Sequence, residues 1–270
     1  MSAFAHNLPI KKRFGQHFLR QQWVLDEITQ AICLDGRSSV VEIGCGDGVL
    51  TQAILTYPIA RLWVFEIDID WVNYVSDMIK DARLKVFHEN ILDSDLTNLQ
   101  PHTPWVLLAN LPYQVTFPIL NIIQRNRDII QEGVIMVQEE VAQKLLKKGG
   151  RGYGYISLFF SHYFSWKQLS KVPPTAFLPP PKVNSRLLHF KAVAEPPLIV
   201  RETEFWKFIK ICFQQPRRTL KNNLAQTHLA NHSAIAPSIL GLRAQQLSFE
   251  QLLDLWNTIN SSNGALVEPA

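Results

Sequence analysis

Val40–Gly48, with the sequence VVEIGCGDG, is the segment that decides the fold. Its first four residues form the short apolar run typical of a buried β-strand. Glycines at 44, 46 and 48 follow, and they allow a tight turn and a close approach of a ligand to the backbone. The G-x-G-x-x-G spacing of dinucleotide sites would need glycine at position 49, where Val49 stands. The segment therefore predicts a strand followed by a binding loop, and it disfavours a nicotinamide or flavin cofactor.

Short apolar runs alternate with helix-like segments on both sides of this loop. The predicted strands are Ser39–Ile43, Leu62–Ile67, Leu84–His88, Trp105–Ala109 and Gly133–Gln138, and the helices between them are Val49–Tyr57, Ile69–Ile79 and Thr116–Gln124. Two further strands, Ile156–Phe164 and Val183–Lys191, are predicted around a proline-rich loop, Pro173–Pro181. This alternation predicts an α/β fold with a mostly parallel sheet and an antiparallel edge strand.

The composition changes beyond Ala194, where Glu195, Pro196 and Pro197 indicate a linker. The remaining segments with helical apolar spacing are Glu204–Phe213, Arg218–Ala225 and Phe249–Ile259. We therefore predict two domains, an α/β domain over residues 1–194 and a small all-α domain over residues 195–270.

Composition excludes several classes of protein. Of the 270 residues 47% are hydrophobic, which excludes a mainly disordered chain. The three cysteines, Cys33, Cys45 and Cys212, are too few for a disulfide framework or a zinc ribbon, and we expect no metal site. No apolar run approaches the roughly 18 residues of a membrane span, and no signal peptide is evident, so we expect a cytoplasmic protein without a membrane partner.

The net charge of +4 conceals a strong asymmetry along the chain. Residues 31–110 contain five Lys and Arg against eleven Asp and Glu. Residues 141–194 contain nine Lys and Arg and no Asp or Glu. A solvated basic face would explain such a run, but its length favours a surface that binds a polyanion, for which RNA is the obvious candidate.

Glu66 ends the second predicted strand, eighteen residues after Gly48, and Asp68 and Asp70 follow it. An acid at this place accepts hydrogen bonds from the ribose hydroxyls of an adenosine-type ligand. Phosphate groups would prefer basic residues there, so a nucleoside without phosphate is favoured, and a cationic one suits the acidic half. S-adenosylmethionine meets both conditions.

Asn110-Leu111-Pro112-Tyr113 follows the fourth predicted strand, at the sheet edge where open α/β folds bind ligands. An exocyclic adenine amine is a poor nucleophile because its lone pair is delocalised into the ring. Acceptors from the Asn110 side chain and the Leu111 carbonyl would draw that lone pair out of conjugation. Pro112 would stiffen the turn, and Tyr113 would stack on an extruded base.

Five segments together resemble the ribosomal RNA adenine N6-dimethyltransferase family, in the branch that acts on small-subunit RNA. They are Lys12–Leu19 (KRFGQHFL), Glu42–Gly46 (EIGCG), Asn110–Tyr113 (NLPY), Val172–Val183 (VPPTAFLPPPKV) and the Arg-containing helix Phe213–Leu224. The resemblance implies a Rossmann-like class I methyltransferase sheet with a helical domain. It also implies two adjacent target adenines near the RNA 3′ end, in a hairpin loop, each methylated twice.

The resemblance assigns roles to particular residues. Catalysis falls to Asn110, Leu111, Pro112 and Tyr113, with Phe177 completing an aromatic sandwich around the target adenine. S-adenosylmethionine would contact His17, Leu19, Gly44, Gly46, Glu66, Asn90 and Asn110. With RNA placed on the basic stretch 141–194 and on the helical domain, its phosphates would contact Lys147, Lys148, Arg151, Arg217, Arg218 and Lys221. The immature small ribosomal subunit is the expected partner, and nothing in the sequence requires a dimer.

Three residues depart from the family pattern. His17 stands where the family has Asn, and Asn90 where it has Asp. The second change replaces a charged acceptor for the cofactor's adenine amine by a neutral one, at a cost of the order of 1–2 kcal/mol in binding. Pro216 interrupts a run that is normally basic.

Two other functions compete with this one. A large-subunit RNA methylase of the macrolide-resistance type is disfavoured by the proline-rich loop and the helical-domain match. A ribosome-assembly factor without turnover has only Asn90 in its favour, and the intact Asn110–Tyr113 segment argues against it. Trp206, Phe208 and Trp256 are expected in the core of the helical domain rather than at a base-stacking surface.

Overall fold

The computed structural model describes residues 4–5, 8–225 and 235–264. Its centre is a seven-stranded sheet. In chain order the strands of the described residues are β1 Phe4–Ala5, β2 Leu8–Pro9, β3 Phe18–Leu19, β4 Ser39–Ile43, β5 Arg61–Glu66, β6 Leu84–His88, β7 Trp105–Asn110, β8 Ile130–Gln138, β9 Phe164–Val172, β10 Phe177–Leu178 and β11 Ser185–Ala192. The sheet has the order β6-β5-β4-β7-β8-β11-β9, and β1 with β2 and β3 with β10 form two small ladders.

Parallel pairing joins β6, β5, β4, β7 and β8, and β11 runs antiparallel between β8 and β9. All five residues of β4 are buried, including the polar Ser39 and Glu42, as expected for a strand in the interior of a parallel sheet. The helices of this part are α1 Gln22–Gln30, α2 Val49–Leu55, α3 Ile69–Met78 and α4 Thr116–Arg125. The predicted α/β class, with its antiparallel edge, is confirmed.

One predicted strand is wrong. Ile156–Phe164 was expected to be extended, but helix α6 covers Tyr155–Tyr163, and the edge strand β9 begins only at Phe164. Leu158, Phe159 and Phe160 are all buried. A helix enclosed on most of its surface is apolar all round, so its sequence shows no amphipathic period and resembles a buried strand.

The chain divides into two compact units. The first comprises Met1–Ala142 and Tyr163–Val193, and it holds the sheet. The second comprises Gln143–His162 and Ala194–Ala270. The contacts thus group residues 143–162 with the C-terminal part, whereas the sequence places them in the first domain.

The regular secondary structure described in the second unit is helical. In addition to α6, they form part of α5 Glu139–Leu145, then α7 Glu202–Cys212, α8 Leu220–Leu224, α9 Pro237–Leu240 and α10 Phe249–Gly264. Trp206 contacts Tyr155, Phe159 and Phe249, and Phe208 contacts Trp256. Trp206, Phe208 and Trp256 are buried, as predicted. Among the helices described, none has the length and apolar character needed to cross a bilayer.

Candidate active site

Strands β4 and β7 are neighbours in the sheet, and the chain leaves them towards opposite sides, to β5 and β8. Open α/β sheets bind ligands at such a switch point, beyond the carboxyl ends of the strands. A cavity of about 370 Å³ lies there, which is within the size range of small-molecule sites. The cofactor and catalytic residues predicted from the sequence that line it are His17, Leu19, Gly44, Gly46, Glu66, Asn90, Asn110, Leu111, Pro112 and Tyr113.

The glycine loop has the backbone conformation that its sequence predicts. Gly44, Gly46 and Gly48 have φ values of 76°, 50° and 79°, in the left-handed region that favours glycine. A Cβ atom on Gly44 would meet no atom within 4 Å, whereas one on Gly46 would lie 3.0 Å from the Phe18 ring. Gly44 therefore leaves room for a ligand against its backbone, and Gly46 allows the loop to pack on the N-terminal segment.

Glu66 is one of the acidic residues that line the cavity. One carboxylate oxygen accepts from the Gly46 amide at 3.2 Å, and the other accepts from the Asp68 amide at 2.9 Å. Burial raises the pKa of the Glu66 carboxyl above its usual value. The Cys45 thiol also donates to Oε2, at 3.8 Å. Oε1 keeps a second lone pair, so the carboxylate can accept a ribose hydroxyl while it holds the glycine loop.

Glu42 is a cavity-lining acid whose role the sequence reasoning missed. It is fully buried in β4, and its Oε2 accepts from the Thr51 hydroxyl at 2.7 Å. Its Oε1 atom has no hydrogen-bond partner among the described residues. Burial raises the pKa of the Glu42 carboxyl to about 8, and the neighbouring Glu66 and Asp47 act in the same direction. The sequence feature that could have identified Glu42 is an acidic residue among the apolar residues of a predicted strand.

The residues before β3 form one wall of the cavity and are held by polar contacts. Lys11 forms ion pairs with Asp68 at 2.5 Å and with Asp70 at 2.6 Å, and Gln16 donates to Asp68 at 2.8 Å. These two acids were expected to contribute negative charge for a cationic ligand. The structure instead pairs them with Lys11, which anchors the N-terminal segment, and the acidic residues that line the cavity are Glu42, Asp47, Glu66 and Glu89.

Asn110 ends β7, and its amide nitrogen donates to the His17 carbonyl at 3.1 Å. The side-chain oxygen is then the atom available to accept from a substrate amine. The Tyr113 hydroxyl lies 2.6 Å from the Ser185 hydroxyl, and the His17 ring stacks on the Tyr113 ring at 5.7 Å between centroids. Ser185 is a partner that no local sequence signal indicates, since it lies 72 residues away.

Phe177 and Asn90 take less expected places. Phe177 pairs with Leu19 in the small ladder, is 4% exposed, and is not among the described residues that line the cavity.

Asn90 lines the cavity, but its side chain already makes two hydrogen bonds within the protein. It donates to Asp93 at 2.6 Å and accepts from the Leu92 amide at 3.2 Å. The roles assigned to both residues remain predictions.

The six predicted phosphate contacts all belong to the second unit, and all are exposed. Within the described part of the chain, no cluster of His, Cys, Asp and Glu has the arrangement of a metal site.

The cavity suits an adenosine-type molecule that carries positive charge. Glu66 offers acceptors for a ribose, Gly44 leaves space along the backbone, and Asp47 and Glu89 are further acidic residues in the lining. With a β6-β5-β4-β7-β8-β11-β9 sheet and an Asn-Leu-Pro-Tyr turn after β7, the fold and the site define an S-adenosylmethionine-dependent methyltransferase.

Comparison with known proteins agrees with this class. Residues 7–261 match the family described as ribosomal RNA adenine dimethylase, and the chain belongs to that family. The chain is 37% identical over 249 residues to Ribosomal RNA small subunit methyltransferase A of Syntrophotalea carbinolica, covering 89% of this chain and 93% of the relative. It is 34% identical to the protein of the same name from Cytophaga hutchinsonii, covering 93% and 97%.

Solved structures share the fold at lower identity. A dimethyladenosine transferase from Plasmodium falciparum aligns with a TM-score of 0.76 at 21% identity, covering 92% of this chain and 98% of that one. The 23S rRNA methyltransferase ErmE aligns with a TM-score of 0.67 at 20% identity, covering 90% and 99%.

Proposed function

We propose that this protein uses S-adenosylmethionine to dimethylate N6 of two adjacent adenines in the 3′-terminal hairpin loop of small-subunit (16S) ribosomal RNA. It would act in the cytoplasm, as a monomer, on the immature small subunit. The observation that carries the proposal is the Asn110–Tyr113 turn at the switch point, with the Asn110 amide oriented by His17. Family membership and the names of the two relatives support the RNA substrate and the small subunit.

The reaction needs a nucleophile made from a conjugated amine. When bound, S-adenosylmethionine supplies an electrophilic methyl group on a sulfonium. Asn110 Oδ1 and the Leu111 carbonyl would accept the two amine hydrogens of the target adenine, which draws the nitrogen lone pair out of conjugation with the ring and directs it towards the methyl group. As the N–C bond forms, the S–C bond of the sulfonium would break and leave a neutral thioether. The methylated nitrogen becomes acidic only as the methyl group arrives and would release its proton to water, so no strong general base is required.

Aromatic residues would hold the extruded base. Tyr113 is fixed at both ends of its side chain, by the backbone turn and by the 2.6 Å contact of its hydroxyl with Ser185. A ring held in this way loses little conformational entropy when a base stacks on it. Phe177 would supply the second face, which requires its buried ring to become accessible when the base enters.

RNA would bind through the second unit. Lys147, Lys148, Arg151, Arg217, Arg218 and Lys221 are exposed there, and clustered Lys and Arg supply the phosphate contacts on which RNA affinity depends. A base in a hairpin loop unstacks more readily than one in a duplex, which favours the loop as the site of methylation.

Transfer of tritiated methyl groups to under-methylated small subunits tests the proposal. The unaltered chain should transfer four methyl groups per subunit, to two adjacent adenines. Asn110→Ala should abolish transfer and leave subunit binding nearly unchanged, because Asn110 lines the cofactor cavity rather than the basic surface.

The alternatives predict different outcomes of the same assay. Label in large-subunit RNA alone would support the macrolide-resistance type of methylase. Subunit binding without any transfer, together with no cofactor binding, would support an assembly factor and overturn the enzymatic role. Loss of RNA binding in Asn110→Ala would show that the role assigned to Asn110 is wrong.

A further inference from the structure

Asn90 lies in the cavity wall after β6, in a segment where Glu89, Ile91 and Leu92 also line the cavity. A carboxamide has one acceptor end and one donor end, and the two ends are nearly equal in size. An adenine amine donates hydrogen bonds, so Asn90 recognises it only when Oδ1 is the exposed end. The orientation of this amide therefore decides whether the contact is attractive or repulsive.

Two neighbours set that orientation. The Asp93 carboxylate can only accept a hydrogen bond, and it lies 2.6 Å from Asn90 Nδ2. The Leu92 amide can only donate, and it lies 3.2 Å from Asn90 Oδ1. The contact with Asp93 is the shorter one, and it is charge-assisted. The Leu92 contact alone is long, so Asp93 is the main determinant.

We propose that Asp93 is a positioning residue for cofactor recognition, whose carboxylate holds Nδ2 of Asn90 so that Oδ1 accepts from the exocyclic amine of the cofactor's adenine. Asp93 is exposed and is not among the described residues that line the cavity, so it acts through Asn90. The inference rests on the proposed use of S-adenosylmethionine at this cavity. It identifies a residue outside the cavity wall that helps the site to select adenine.

An Asn90→Asp background separates positioning from a general structural role. A carboxylate at position 90 has two equivalent acceptor oxygens and needs no orientation. It would also stand at hydrogen-bond distance from the Asp93 carboxylate, where two like charges repel. Removing Asp93 should therefore harm cofactor binding in the original chain and should leave it unchanged or improve it in the Asn90→Asp background.

The experiment is a double-mutant cycle of Asn90→Asp and Asp93→Ala, with affinity for S-adenosylhomocysteine measured by titration calorimetry. Asp93→Ala alone should weaken binding by about three- to tenfold, the range expected for one hydrogen bond to a charged partner in a partly exposed site. Asp77→Ala serves as the matched control, since its side chain is 83% exposed and pairs only with Lys80 in the described structure. Thermal unfolding of every variant verifies that it folds.

The outcomes are distinct. A loss on Asp93→Ala in the original chain, with no loss or a gain in the Asn90→Asp background, supports the inference. An equal loss in both backgrounds would show a merely structural role and overturn it, as would unchanged binding in Asp93→Ala alone. Failure of the unaltered chain to bind the ligand would overturn the proposed function, and the inference with it.

Discussion

Replacing Glu42 by glutamine removes a titratable group from the cavity without changing its size. In the folded protein, complete burial raises the pKa of Glu42 to about 8, whereas the ordinary value is 4.5. Between these two pH values the folded chain binds one more proton than the unfolded chain. The free energy of unfolding therefore falls as the pH rises through this window, and that part of the pH dependence should vanish in Glu42→Gln.

The size of the effect follows from the shift. One pKa unit corresponds to about 1.36 kcal/mol. At pH 7 the raised pKa of Glu42 therefore lowers the free energy of unfolding by at most about 3 kcal/mol, relative to its value below pH 4.5. Glutamine avoids this cost and still offers an oxygen to the Thr51 hydroxyl, which lies 2.7 Å from Glu42 Oε2. The variant should therefore be more stable than the original chain at pH 7, by up to about 3 kcal/mol, and nearly equal to it near pH 4.5.

Urea unfolding of both chains without cofactor, at several pH values from 5 to about 8, measures the difference. Glu195→Gln is the control, because it makes the same chemical change at an exposed position that is not in the cavity lining. If Glu42→Gln proves less stable than the original chain at pH 7, or keeps the same pH dependence, the assignment of a buried, protonated Glu42 is refuted.

Three further predictions concern the loop, the catalytic turn and the RNA surface. Gly46→Ala should destabilise the protein by roughly 1–2 kcal/mol in thermal unfolding, because residue 46 has positive φ and its Cβ would lie 3.0 Å from the Phe18 ring. Ser185→Ala should lower kcat in the methyl-transfer assay several-fold, because it removes the 2.6 Å partner of the Tyr113 hydroxyl, and an unchanged kcat would contradict that role. Arg217→Ala should reduce the slope of log affinity against log salt by roughly one in RNA titrations, and an unchanged slope would show that Arg217 contacts no phosphate.

The parallel part of the sheet was predictable because each of its strands is a local apolar run. The predicted and observed bounds of the first strand coincide at Ser39–Ile43, and those of the third coincide at Leu84–His88. Prediction failed at β9 Phe164–Val172, which lies at the edge of the sheet and has mostly exposed or partly exposed side chains. With only its two end residues buried, β9 has no apolar run that predicts a strand, while the apolar helix before it resembled one.

The places of several cavity-lining residues were predictable because each belongs to a short motif at the end of a predicted strand. Gly44, Gly46, Glu66 and Asn110 all line the cavity, as their positions at the ends of strands indicated. The pairing of Lys11 with the acids after β5 was not predictable, because its partner Asp68 is 57 residues away and ordinary charge patterns do not identify distant pairs.

The anchored N-terminal segment also sets an order of events during synthesis. Lys11 has its partners only once Asp68 and Asp70 have been made, and the His17 carbonyl meets its Asn110 partner later still. His17 Nδ1 contacts the carbonyl of Pro179, 162 residues further along the chain. The N-terminal wall of the cavity is synthesised first but is among the last parts to gain all of its contacts. A nascent chain shorter than about two thirds of the full length therefore cannot form the complete cofactor site.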